Sequence, residues 1–164
     1  MAIVVNTTAS NVVLQINTDG TDYSSNVDAA FDSVAGTANV YTLPALQDVT
    51  LNATPGTFTW EQLDSLSQFI VTTPSTNSVD MNIVVDETTF FDATAGSSGI
   101  LDTVNGKIRT YFRLFLNGQA TGDRYVQGYG YLSGLAPTVS PTAPVWVSPL
   151  TVLIDGSFTH HQLP

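Results

Sequence analysis

The stretch Lys107-Ile108-Arg109-Thr110-Tyr111-Phe112-Arg113-Leu114-Phe115-Leu116 runs into Asn117-Gly118-Gln119-Ala120-Thr121-Gly122, and Arg124-Tyr125-Val126-Gln127-Gly128-Tyr129-Gly130-Tyr131-Leu132 follows. This stretch decides the fold. Its first part is rich in aromatic and β-branched residues, which fit a pleated surface. Asn-Gly followed by a second Gly is a hairpin turn. The remainder reads as the return strand. Gly128 and Gly130, set between tyrosines, predict a kink or a close backbone approach there.

The whole chain agrees with this hairpin. Of its 164 residues, 48 are Thr, Val or Ile, while good helix formers are scarce: one Lys, two Glu and two Met. A mainly β protein follows. The length suits one domain, residues 1–164, and the sequence shows no internal repeat and no boundary that would split it.

Outward from the hairpin, other strands are legible. Asn11–Asn17 alternates, with Val12, Leu14 and Ile16 on one side. Asp19-Gly20 marks a turn, and a short strand is expected near Val27–Val34. Residues 39–43 read as extended. Gln47–Thr54 reads as a strand ending at a Pro55-Gly56 turn, and Val79–Asp86 as another with an apolar centre. Four prolines space out residues 134–148, which read as irregular, before a last strand over Leu150–Ile154.

One segment changes period. Trp60, Leu63, Leu66, Phe69 and Ile70 fall at helical spacing, and Thr59 and Gln62 have the spacing of a capping box. With Pro74 as the stop, this predicts one helix over about residues 59–72, packing through those five apolar residues. A long loop is expected over residues 87–106. Its Phe90, Phe91, Ile100 and Leu101 are poorly suited to water, so they are expected to dock on another subunit. Residues 1–10 read as an N-terminal arm and 156–164 as a C-terminal tail.

Charge excludes several functions. Fourteen Asp and Glu against four Lys and Arg give a formal net charge of −10. So few cations cannot supply an electrostatic grip on nucleic acid. With no Cys there is no disulfide, thiol nucleophile or Cys-based zinc site. No apolar run approaches the roughly 20 residues of a membrane helix. Met1–Asn6 lacks the basic and apolar regions of a secretory signal. The charged fraction is 11%, against about 25% in ordinary soluble proteins. Strand edges are therefore lightly guarded, which favours a subunit of a larger assembly. An acidic monomer kept apart by self-repulsion is the alternative.

Catalytic and ligand patterns are weak. His160-His161 match no spaced metal motif, and no Gly-x-Ser-x-Gly elbow accompanies them. Asp86 and Glu87 are neighbours that a strand would send to opposite faces. Asn17–Asp22 lacks the EF-hand spacing and reads as a hairpin turn. Tyr125, Tyr129 and Tyr131 have period-2 spacing and read as a packed sheet or subunit face, with a sugar-stacking face as the alternative. No catalytic residue, cofactor or metal is expected.

The order of elements supplies a resemblance. Asp19-Gly20-Thr21-Asp22-Tyr23-Ser24-Ser25-Asn26-Val27 follows the first strand. The Tyr111 hairpin with Tyr129-Gly130-Tyr131 comes later, and Leu150-Thr151-Val152-Leu153-Ile154-Asp155-Gly156-Ser157-Phe158-Thr159 closes the chain. This series resembles the major tail tube proteins of long-tailed, non-contractile bacteriophages. The resemblance implies a β-sandwich or barrel-like antiparallel fold with one flanking helix. It implies a virion protein forming homo-hexameric rings that stack into a tube, and a lumen through which DNA passes without specific binding. Six copies at −10 each carry a formal −60 per ring. Tail terminator, tape-measure and distal tail proteins would be its partners, and no membrane is involved. A tail terminator or head–tail joining protein, or a capsid decoration or carbohydrate-binding adhesion domain, is the alternative.

Overall fold

The computed structural model describes residues 12–32, 40–43, 46, 48–61, 68–85, 90–91, 99–140 and 143–164. Among them nine strands form one antiparallel sheet. They are β1 (Val13–Asn17), β2 (Val40–Thr42), β3 (Asp48–Glu61), β4 (Gln68–Val84), β5 (Arg109–Phe115), β6 (Arg124–Ser133), β7 (Thr138–Ser140), β8 (Ala143–Ile154) and β9 (Thr159–Gln162). Two short helices are described, α1 (Ala29–Asp32) and α2 (Ile100–Asn105). The sheet order is β2-β1-β5-β6-β8-β4-β3, with β7 beside β8 and β9 beside β6.

The decisive hairpin is present as read. β5 and β6 pair from Arg109 with Tyr131 to Phe115 with Tyr125. Gly118 and Gly122 adopt φ of 113° and 91°, in the left-handed region that a β-carbon disfavours. At Gly130 a β-carbon would collide with the carbonyl of Leu153, so β6 and β8 approach closely where the glycine pattern predicted it.

Alternation builds the core. Leu14 and Ile16 of β1, Phe112 and Leu114 of β5, Val79, Met81 and Ile83 of β4, and Leu150 and Val152 of β8 are all buried in one cluster. Burying each such side chain contributes about 1.5–3 kcal/mol. On the other face of β1 and β5, a smaller cluster joins Tyr111 to Ala30 and Phe31 of α1. The main-chain carbonyl of Ala30 accepts a hydrogen bond from Asn17 Nδ2 at 2.6 Å, tying α1 to β1.

Several expectations are corrected. Within the helix expected over about residues 59–72, the described residues are strand: β3 runs to Glu61 and β4 starts at Gln68, so Trp60, Phe69 and Ile70 lie on strands. Leu63, Leu66 and Gln62 lie outside the described residues. Of the five residues of the expected stripe, Trp60 and Phe69 form a cross-strand pair of β3 and β4. The true signal is the period-2 run Thr57-Phe58-Thr59-Trp60, with the β-branched run Ile70-Val71-Thr72-Thr73 on the partner strand.

Pro55-Gly56 does not turn the chain either, because β3 continues through a register shift between Thr54 and Gly56. Proline is tolerated at such a bulge on an edge strand. There a β-carbon on Gly56 would collide with Thr73 Oγ1 and the Pro74 carbonyl.

Near Val27–Val34 the chain forms α1 instead of a strand. The end of the expected loop 87–106 is helix α2, whose Ile100 is buried while Leu101 and Val104 pack on the core. The irregular stretch 134–148 includes β7 and the start of β8. Pro149 fits because it lies between the β7 pairing, which ends at Val147, and the β6 pairing, which starts at Thr151. The C-terminal tail carries β9, held by pairing with residues 124–127 of β6. The N-terminal arm 1–10 lies outside the described residues.

Candidate assembly surfaces

Three surfaces stand out. The first is the open face of β3, β4 and β8. The core takes alternate residues of these strands, so the intervening ones face outward. They include Asp48, Thr50 and Asn52 of β3, Ser78, Asp80 and Asn82 of β4, and Pro149, Thr151 and Leu153 of β8, all exposed or half-buried. Asp80 accepts hydrogen bonds from Asn52 Nδ2, Ser78 Oγ and Thr151 Oγ1, the last at 2.7 Å. Asp48 accepts from the Asn82 main-chain N–H at 3.0 Å and from its side-chain amide at 2.9 Å. Both carboxylates are thus fixed by short polar side chains of the same face.

No Lys or Arg occurs in β3, β4 or β8. All four cations lie on β5, β6 or the turn before β5. Two of them are engaged with carboxylates. Arg109 reaches Asp22 at 3.4 Å and Asp155 at 3.5 Å. Arg113 Nη2 donates to Asp28 Oδ1 at 2.6 Å and Nε donates to Gln127 Oε1 at 3.1 Å. Its guanidinium also lies over the rings of Phe31 and Tyr125. Burial works to raise the Asp28 pKa, but hydrogen bonds from Arg113 and Gln127 outweigh it and hold the carboxyl below its ordinary value.

The second surface is the sheet margin at β3. This 14-residue strand ends the sheet order, so its outer edge has no partner strand among the described residues. It carries none of the Lys guards that normally blunt an edge.

The third is an arm. β8 pairs with β4 only over Asn77–Val84. Beyond it, residues 54–61 and 68–76 continue as a two-stranded ribbon. Phe58 pairs with Val71 and Trp60 with Phe69, which places all four side chains on one side. Trp60 and Phe69 stack at 4.8 Å between ring centroids. Phe58 is 59% exposed and Trp60 40%, unlike the buried positions expected of a packed helix. The expected helix stripe is thus an exposed aromatic ribbon, which sequence reasoning missed.

The other expected site residues fall elsewhere. Phe90 and Ile100 are buried within the chain's own core, and Leu101 packs against it. Phe91 is 48% exposed and keeps its apolar surface available. Tyr125 is buried, Tyr129 is half-buried and Tyr131 is exposed, so the three tyrosines make no continuous stacking face. His161 stacks on Tyr125 at 5.5 Å and its Nε2 lies 3.0 Å from Thr159 Oγ1.

In the turn, Asn17 and Asp19 accept the main-chain N–H groups of Asp19 and Thr21. Asp22 accepts from the Ser24 N–H and the Tyr111 hydroxyl. These oxygens build the loop. The Ser24 bonds, then the Tyr111 bond, lower the Asp22 pKa to about 2.

Comparison with known proteins adds the fold family. No family model matches the chain, and no curated protein matches it in sequence. Solved structures do match. The SPP1 tail tube subunit superposes with a TM-score of 0.62 at 11% identity, covering 94% of this chain and 78% of its own. The tail of an empty gene transfer agent particle, computed with helical refinement and C6 symmetry, gives 0.52 at 10% identity, covering 94% and 98%. A chain of the native gene transfer agent virion gives 0.50 at 11% identity, covering 93% and 98%. Over most of its length the chain therefore has the fold of these tail tube structures, mainly antiparallel β with short flanking helices.

Proposed function

We propose that this chain, acting as one unit over residues 1–164, is a structural virion protein of a phage tail. Its copies close into hexameric rings, the rings stack into the tail tube, and DNA slides through the lumen. The carrying observation is the match to the SPP1 tail tube over 94% of the chain, with the β3, β4 and β8 part of one sheet face left open and holding no Lys or Arg. A matching gene transfer agent tail has C6 symmetry.

The open face of β3, β4 and β8 is the one suited to line the channel. Its charges are the carboxylates of Asp48 and Asp80, and its other groups are short hydroxyls and amides with Pro149 and Leu153 of β8 among them. Phosphates near such a wall feel repulsion that is screened over roughly 8–10 Å, the Debye length at physiological salt. The DNA therefore finds no point at which to stick. The guardless edge of β3 supplies the closing contact, since a bare strand edge pairs readily with another sheet. A head-to-tail edge contact that repeats by a closed rotation makes a ring. Phe91 offers one more apolar contact to a neighbour. No residue has a catalytic role in this reading. The tail terminator, tape-measure and distal tail proteins are its neighbours in the virion, and no membrane is involved.

Negative-stain electron microscopy of the purified protein, across concentration and salt, tests this directly. Rings or hollow tubes are expected on concentration. Single particles under every condition would refute the proposal.

A further inference from the structure

We infer that the aromatic ribbon of the β3–β4 arm docks on the β7–β8 hairpin of a copy in the adjacent ring. This deepens the tail tube reading and rests on it. Three observations carry the assignment.

The first is charge. Copies carrying −10 each repel, so a contact forms most easily where charge is missing. Residues 49–60 and 68–79 contain no charged side chain, and neither do residues 134–154. The arm up to Trp60 and from Gln68, and the whole β7–β8 hairpin, are thus uncharged, as is β6 beyond Arg124.

The second is matching exposed apolar surface. The arm presents Phe58, Trp60, Phe69 and Val71. The β7–β8 hairpin presents Val139, Val145 and Trp146, with Trp146 46% exposed. Both tryptophans of the chain therefore stand in water. Large aromatic side chains are what interfaces use as anchors.

The third is position. Thr138 pairs with Val147, and Val147 pairs with Val84, so the β7–β8 hairpin sits at the C-terminal end of β4. The arm is built on the N-terminal end of the same strand. Fifteen residues separate Phe69 from Val84, roughly 50 Å of extended strand. The two patches cannot meet within one chain. They can meet between copies placed end to end, and a head-to-tail contact of that kind extends a filament without closing it. With strands tilted as in a closed barrel, the implied axial repeat is roughly 40 Å.

The test uses the full chain. Phe58→Ser with Trp60→Ser on the arm, and separately Trp146→Ser on the hairpin, are compared with wild type by circular dichroism and negative-stain microscopy. Both variants are expected to keep the wild-type spectrum and to form rings, with tubes requiring at least tenfold more protein. Because the chain has no Cys, Val71→Cys mixed with Val145→Cys gives a second measurement. Under mild oxidation an intermolecular disulfide is expected within tubes. Normal tubes from both variants, folded variants that form no rings, or failure of the cysteines to cross-link within wild-type-like tubes would each overturn the inference. If wild type forms no tube at all, the proposed function fails instead.

Discussion

Arg113→Met should cost about 3 kcal/mol of folding stability, worked from its contacts. The Arg113 side chain is only 9% exposed, and its Nη2–Asp28 hydrogen bond is 2.6 Å long. A charge-assisted bond of this kind contributes about 1.5–3 kcal/mol. Asp28 is 40% exposed and rehydrates when its partner leaves, so the full penalty of an orphaned buried charge does not apply.

Gln127 is almost fully buried and loses the donor to its Oε1, which costs about 1–3 kcal/mol. Contacts with the Phe31 and Tyr125 rings add about 0.5–1 kcal/mol each, and the Met side chain recovers much of their packing. About 3 kcal/mol remains. At about 2–4 °C per kcal/mol for this chain length, Tm falls by roughly 10 °C.

Asp28→Asn keeps an acceptor and should cost about 1 kcal/mol. The double variant should be less destabilised than the sum of the two singles, since the groups share one bond. Urea denaturation at concentrations below assembly measures all three. A loss under 1 kcal/mol for Arg113→Met, or strict additivity, would refute this weight given to the Arg113–Asp28 bond.

Three further outcomes follow from the geometry. Gly130→Ala should destabilise by about 2–3 kcal/mol, because the added methyl meets the Leu153 carbonyl and the strands must separate; an unchanged urea midpoint would contradict this close approach. Stability should fall with acid: Asp22, at about 2, and Asp28 are both depressed in the folded chain, against about 3.9 unfolded. Their contribution is complete above pH 4 and disappears as pH drops toward 2. Thermal melts should show this fall, and Asp22→Asn should make the curve shallower. Lys107 adopts φ of 52° just after α2, so Lys107→Gly should stabilise by about 0.5–1 kcal/mol; a loss in Tm would contradict strain there.

The legible parts of the sequence were those governed by strict alternation or by glycine chemistry. The β5–β6 hairpin carried both, with Asn117-Gly118 at the turn and Gly128 and Gly130 in the return strand. β1 was legible because Leu14 and Ile16 alternate with polar residues. The arm misled because apolar residues at positions 60, 63, 66, 69 and 70 satisfy a helical pattern, whereas Trp60 and Phe69 are a cross-strand pair of β3 and β4.

Its exposure was hidden for a second reason. A sequence pattern reports which residues share a side, not whether anything in the same chain covers that side. The Arg113–Asp28 lock was invisible because 85 residues separate its partners. Asp48 and Asp80 could be counted as charges, but only the register of β3, β4 and β8 places them together on one open face.

A cryo-electron microscopy reconstruction of tubes assembled from the full chain tests the central claim most directly. The account predicts sixfold rings around a hollow channel, with Asp48 and Asp80 on the inner wall and no Lys or Arg among the strands that line it. A solid filament, or a tube whose inner wall is formed by β1 and β5 with β3, β4 and β8 turned away from it, would contradict it.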